Sequence, residues 1–127
     1  MLNARAGFTV VEVIVALVIL SVAVLGLAGS ATRLTTAAAT AEMRAQAVYS
    51  ADDRIGRIEM DRRYTLLDSL YEAVENGVPG PGFVRSTRVE HIQVTSPDTL
   101  DYLMVTVNVT GPGLTSPVKR TLVVAAP

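Results

Sequence analysis

A run of twenty uncharged residues, 13–32, constrains the fold of this chain more than any other feature. Because an α-helix rises about 1.5 Å per residue, the run is long enough to cross the hydrocarbon core of a bilayer, which is about 30 Å thick. A backbone inside lipid has no water to bind, so the run must be helical there. Arg5 lies on the short side of the run. This charge predicts that the N-terminus is cytoplasmic and that the remainder is exported.

The charge balance and the absence of cysteine exclude several classes of function. The chain has eleven basic and twelve acidic residues, so it lacks the basic surplus of an electrostatic nucleic-acid binder, and we expect no nucleic-acid partner. It has no cysteine, which excludes a disulfide, a thiol nucleophile and a thiolate metal site. No catalytic constellation is present in the sequence, and we expect no enzyme activity, cofactor or metal.

One long helix is predicted from about Phe8 to Asp61, since no proline precedes residue 79. Gly26 and Gly29 weaken it locally, and a hinge is predicted there. Charged residues such as Arg54 are expected away from the packed face. That face is predicted as a narrow stripe, in which Asp52 is the one polar member: Leu34, Ala37, Ala38, Ala41, Ala45, Val48, Asp52, Ile55 and Ile58.

A short helix and three strands are predicted after the long helix. Residues Tyr64–Gly77 have amphipathic helical spacing, with Gly77 as the stop. Turn-forming residues follow at 78–82, and strand patterns occupy 84–95, 102–110 and 118–125. The predicted fold class is therefore α+β, with a long N-terminal helix whose second half packs on a small antiparallel sheet.

Candidate ligands in this C-terminal part are few. His91 is the one histidine in the sequence, and its strand pattern favours a surface or core-edge position over a metal site. Asp98 and Asp101 flank a predicted loop. Loops rich in oxygen ligands can bind calcium, so a calcium site at Asp98 and Asp101 is one interpretation. The favoured interpretation is that Asp98 caps the turn.

Glu12 is the acidic residue at the start of the apolar run. A carboxylate inside such a helix costs about 2–3 kcal/mol at the centre of a bilayer and less near its edge. One interpretation is an interfacial acid that extends toward the headgroups. However, Glu12 follows Phe8 by four residues, so the two lie on the same helix face. Phe8 directly follows Gly7.

These residues, Gly7-Phe8-Thr9-Val10-Val11-Glu12 and the apolar run behind them, closely resemble the signature of the type IV pilin and pseudopilin superfamily. The resemblance implies that a prepilin peptidase cleaves between Gly7 and Phe8 and methylates the new Phe8 amine. It also implies that Glu12 pairs with the Phe8 amine of a neighbouring subunit during assembly. The implied organisation is a leader at 1–7, a transmembrane and filament-core helix at 8–33, and a periplasmic or extracellular pilin-like domain at 34–127.

Details of the apolar run look most like V-type minor pilins of type IV pili and I-type minor pseudopilins of type II secretion. The resemblance implies a structural subunit in the tip complex that starts assembly. Its implied partners are other pilin subunits, the prepilin peptidase, the inner-membrane assembly platform and, before assembly, membrane lipid. Two alternatives stay open: a single-span membrane-anchored periplasmic binding module that does not polymerise, and a soluble domain released by signal peptidase.

Overall fold

A computed structural model describes residues 7–95 and 99–127 of the chain. The chain divides into two compact units, Met1–Ala38 and Ala39–Pro127. Helix α1, Val10–Met60, begins in the first unit and ends in the second. Its bounds confirm the long helix predicted from the absence of proline, and α1 continues without interruption through Gly26 and Gly29. The hinge stays a prediction for the assembled state.

In the first unit, the described part of α1 buries none of its side chains. Among the described residues, α1 is the helix that is long and apolar enough to cross a membrane, and none of its most apolar window is buried within the chain. The described apolar side chains of this unit are therefore left exposed.

The second unit is an α+β domain, as predicted. After α1 come a 3-10 turn at Tyr64–Leu66, helix α2 at Leu67–Tyr71, and four strands: β1 Ala73–Asn76, β2 Val84–Val94, β3 Leu100–Thr110 and β4 Val118–Ala125. The strands form one antiparallel sheet in the order β1-β2-β3-β4. The predicted strands correspond to β2, β3 and β4, and the bounds of β4 are as predicted.

The core of this unit lies between the second half of α1 and one face of the sheet. Alternate residues of β3 point into it, as their alternation with polar residues predicts. The buried hydrophobic residues are Ala47, Ala51, Ile58, Leu67, Phe83, Leu103, Val105, Val107, Val109 and Val118.

The predicted helix over 64–77 is wrong in its second half. Residues 73–76 form β1 and pair with Val84–Thr87 of β2. Gly77 does not end a helix but opens the turn between these strands, with φ of 77° and its N–H donated to the carbonyl of Phe83 at 2.8 Å. The ladder with β2 pairs residues that are 8 to 14 positions apart, and it overrides the local helical spacing.

The predicted stripe on α1 is also largely wrong. Ala45 and Asp52 are exposed, whereas the buried positions of the helix are Ala47, Ser50, Ala51 and Ile58. Because small residues occur on more than one face of this segment, hydrophobic spacing alone did not identify the face that packs. Of the predicted stripe, Val48, Ile55 and Ile58 belong to the core or pack against it.

A methyl group at Gly111 would overlap the ring of the buried Phe83. We therefore expect Gly111→Ala to lower the free energy of unfolding by about 1–3 kcal/mol, since the core has no room for it. Gly56→Ala is the matched control, because a Cβ there meets nothing within 4 Å. In a helix interior this control should raise the stability by about 0.5–1 kcal/mol.

Both changes can be measured by urea denaturation of the full chain in detergent micelles, followed by tyrosine fluorescence. All four tyrosines, Tyr49, Tyr64, Tyr71 and Tyr102, lie in the second unit. Equal stabilities for Gly111→Ala and the unaltered chain would contradict the packing described for Phe83.

Candidate functional site

The N-terminal turn of α1 holds the residues that the sequence singles out for processing and assembly. Phe8 is 83% exposed and precedes the helix. The Thr9 carbonyl accepts a hydrogen bond from the N–H of Val13 at 3.2 Å, and the Thr9 hydroxyl accepts one from the N–H of Glu12 at 3.3 Å. Thr9 is therefore the N-cap of α1, and Glu12 lies in its first turn.

Phe8 and Glu12 line one shallow groove, as their four-residue spacing predicts. The other lining residues are apolar, so the Glu12 carboxylate is the charged group in this groove; they are Val13, Ala16, Leu17 and Leu20. Among the described residues, the structure gives the Glu12 side chain no hydrogen-bond or ion-pair partner. A carboxylate in apolar surroundings is stabilised by an opposite charge, and none of the described residues supplies that charge here.

The packing of the described residues does not require glycine at positions 7, 26 and 29. A Cβ built at Gly7, Gly26 or Gly29 meets nothing within 4 Å. A requirement for glycine at position 7 would therefore reflect an external molecule that binds there. The structure does not bring Gly26 and Gly29 into the groove, since both lie further along α1.

Comparison with known families identifies this segment. Residues 2–28 match the family model described as the prokaryotic N-terminal methylation motif. The N-terminal segment is thus similar to prokaryotic N-terminal methylation motifs. Comparisons with curated proteins and with solved structures gave no match.

The match confirms the resemblance to the type IV pilin and pseudopilin superfamily in the segment where the sequence shows it. Together with the apolar α1, the methylation motif supports membrane anchoring of the chain and processing as a type IV pilin-like subunit. The match ends before the second unit begins.

The second unit contains a polar network between α1 and the sheet that the sequence analysis missed. The buried Arg85 donates from Nε to Glu75 at 2.8 Å and from Nη1 to the carbonyl of Ser50 at 3.2 Å. Arg54 donates to Thr87 at 3.3 Å and to the carbonyl of Tyr71 at 3.0 Å, and its guanidinium lies 5.1 Å from the Tyr71 ring centroid.

This network satisfies the polar groups that the helix–sheet interface buries. The hydrogen bond from Arg85 holds the pKa of Glu75 below its ordinary value, since the ionised form is the better acceptor. Arg54 was expected away from the packed face and is instead part of the interface. The alternation of β2 could have predicted that Arg85 is buried. Every second residue counted back from Val89 faces the core, and Arg85 is one of these residues.

The Asp101 carboxylate links Tyr64, in the segment after α1, to side chains of the sheet through hydrogen bonds. It lies in β3 rather than in the predicted loop, because β3 begins at Leu100. Its carboxylate accepts hydrogen bonds from Tyr64 Oη at 2.8 Å and Gln93 Nε2 at 3.1 Å, and lies 2.6 Å from His91 Nε2. His91 is exposed at the strand surface, as predicted.

The hydrogen bond with His91, followed by those with Tyr64 and Gln93, lowers the pKa of Asp101 below its ordinary value. Both carboxylate oxygens are thus engaged by protein groups. Asp98 lies outside the described residues. Within residues 7–95 and 99–127, no group of three His, Asp or Glu side chains is arranged to hold a metal ion.

The lowered pKa of Asp101 predicts a pH-dependent contribution to stability. The contribution is present above the ordinary aspartate pKa of about 4 and is lost as the pH falls toward the lower folded value. We therefore expect Asp101→Asn to be less stable than the unaltered chain at neutral pH, with the difference shrinking as the pH falls below about 4.

Urea denaturation at a series of pH values measures this difference. Asp53→Asn is the control, because Asp53 has an exposed i,i+4 pair with Arg57 that contributes little. A destabilisation by Asp101→Asn that is constant from acid to neutral pH would show that the ionised carboxylate has no such role.

Proposed function

We propose that this chain is a structural minor pilin or minor pseudopilin, assembled into a type IV pilus or a type II secretion pseudopilus. The observation that carries the proposal is the match to the methylation motif at the head of an apolar helix that its own chain leaves uncovered. In this proposal residues 1–7 are a leader that prepilin peptidase removes. Residues 8–33 cross the inner membrane with a cytoplasmic N-terminus, and residues 34–127 form the exported domain.

The exposed half of α1 supports a subunit that moves from lipid into a helix bundle. Its Val, Ile and Leu side chains from Val10 to Leu27 are at least 47% exposed. Lipid tails and apolar helices cover such a surface about equally well, so the hydrophobic effect gives little preference between them. Packing and polar contacts must then decide whether the helix leaves the membrane.

Glu12 is the polar group that favours the bundle in this proposal. Leader removal creates a cationic amine on Phe8 at the edge of the membrane. Pairing that amine with the Glu12 carboxylate of a neighbour neutralises two charges that are each costly in apolar surroundings. This pairing also fixes the axial offset between adjacent helices, because the Phe8 nitrogen of one subunit must meet the Glu12 carboxylate of the next.

The placement in a tip or initiation complex rests on the resemblance of the apolar run to minor subunits. The chain has no cysteine, and therefore lacks the disulfide-closed loop that many major and adhesive pilins carry. The methylation motif suggests a structural rather than an enzymatic role. The exported sheet then selects neighbouring subunits, and the assembly platform drives the subunit out of the membrane.

Mass spectrometry of the N-terminus of the protein from its host cells tests the proposal. We expect the mature chain to begin with N-methylated Phe8. Gly7→Leu should retain the leader, because the peptidase would meet a bulky side chain beside the bond it cleaves. Gly29→Leu is the matched control, since it also places a side chain in open space, and it should be cleaved normally.

Two other N-termini would contradict the proposal in different ways. An intact Met1 would indicate a membrane-anchored module that does not polymerise. A start near Thr32 would indicate a soluble domain released by signal peptidase. Normal cleavage of Gly7→Leu would show that position 7 is not part of a recognition sequence.

A further inference from the structure

The cap at the start of α1 has a consequence for Glu12. An α-helix leaves its first N–H groups without partners inside the helix. The Thr9 hydroxyl takes one of them, the N–H of Glu12, at 3.3 Å. The spacing from Thr9 to Glu12 is that of a capping box, in which the acid at the third helical position turns back to the N–H of the capping residue. In the structure the hydrogen bond from the Glu12 N–H to the Thr9 hydroxyl is formed, and the Glu12 carboxylate has no hydrogen-bond or ion-pair partner among residues 7–95 and 99–127.

Phe8 and Val13 flank this cap at the positions of a hydrophobic staple. Phe8 directly precedes the capping residue, Val13 is the fourth residue of the helix, and both line the groove next to Glu12. Such a pair fixes the direction in which the chain enters a helix. The start of α1 is therefore marked by the Thr9 cap and by two apolar residues at staple spacing, Phe8 and Val13, both in the segment that carries the methylation motif.

The electrostatic field at the start of α1 has opposite effects on a Phe8 amine and on the Glu12 carboxylate. The N-terminal end of a helix carries a partial positive charge, which favours a carboxylate in the first turn and disfavours a cation in front of it. A new amine on Phe8 would lie one residue before the cap, so its favourable partner is a carboxylate. The Glu12 carboxylate is available to an amine on another subunit only while it is not needed to satisfy the amides of its own helix.

We propose that Thr9 is a positioning residue for assembly: by capping the N–H of Glu12 it leaves the Glu12 carboxylate free for the Phe8 amine of a neighbouring subunit. Without the hydroxyl, the uncapped amides of the first turn attract the carboxylate of their own chain, since the start of a helix carries a partial positive charge. This inference rests on the proposed function, because it requires the amine that leader removal creates.

Substitutions at position 9 test the inference in the full chain. Thr9→Val keeps the shape of the side chain and removes the hydroxyl, whereas Thr9→Ser keeps the hydroxyl. We expect Thr9→Val to lose its leader normally but to enter the assembled, sedimentable fraction from host cells about five-fold less, the equilibrium equivalent of a lost N-cap. Thr9→Ser should assemble as the unaltered chain does.

Hydrogen exchange of the Glu12 amide gives a second readout, measured on the processed chain in detergent micelles. Exchange should be about five-fold faster in Thr9→Val and restored in Thr9→Ser. This measurement reports the cap itself, and it remains decisive if a variant assembles poorly for another reason.

Glu12→Leu separates failure of this inference from failure of the proposed function. It should be cleaved and assemble poorly. If Glu12→Leu assembles normally, the proposed role of Glu12 is wrong and the role of Thr9 falls with it. If Glu12→Leu fails to assemble while Thr9→Val assembles fully, or if Thr9→Ser is as defective as Thr9→Val, the role of Thr9 alone is overturned. Unchanged exchange of the Glu12 amide in Thr9→Val would likewise overturn it.

Discussion

The uncovered apolar surface on the first half of α1 is the constraint on which the rest of this account depends. Soluble monomers rarely expose a contiguous apolar patch of more than a few hundred Å², yet none of the most apolar window of α1 is buried within the chain. In the proposed function, lipid or other helices cover it. Because these two environments are similarly apolar, the preference then depends on polar groups at the helix end. The proposal assigns this role to Phe8, Thr9 and Glu12, which lie within five consecutive residues.

The second unit differs, since one face of its part of α1 is buried by its own chain. Ala47 and Ala51 are fully buried in its core. The packing of α1 on the sheet also buries Arg85, which Glu75 and Ser50 satisfy, and every buried side-chain nitrogen or oxygen among the described residues has a hydrogen-bond partner. One helix thus joins a segment that needs other molecules to a domain with a complete core.

Features set by local chemistry could be predicted from the sequence, and features set by distant pairing could not. The length of α1 follows from an apolar run without proline, and β4 follows from the turn formers around it. Residues 73–76 have helical spacing but form β1, because only the fold brings Val84–Thr87 beside them. The methylation motif was recognisable from Gly7 to Glu12. The capping role of Thr9 was equally local and was missed, although its spacing to Glu12 is a known pattern.

A photoreactive residue at Ala16 tests most directly whether the first half of α1 leaves lipid for a bundle of like helices. Ala16 lies in the groove beside Glu12 and is exposed within the chain. In host cells with a complete assembly apparatus, we expect crosslinks from this position to the N-terminal helix of another pilin-type subunit, and their loss in Glu12→Leu. Crosslinks to lipid alone, in cells where the chain is processed, would contradict it.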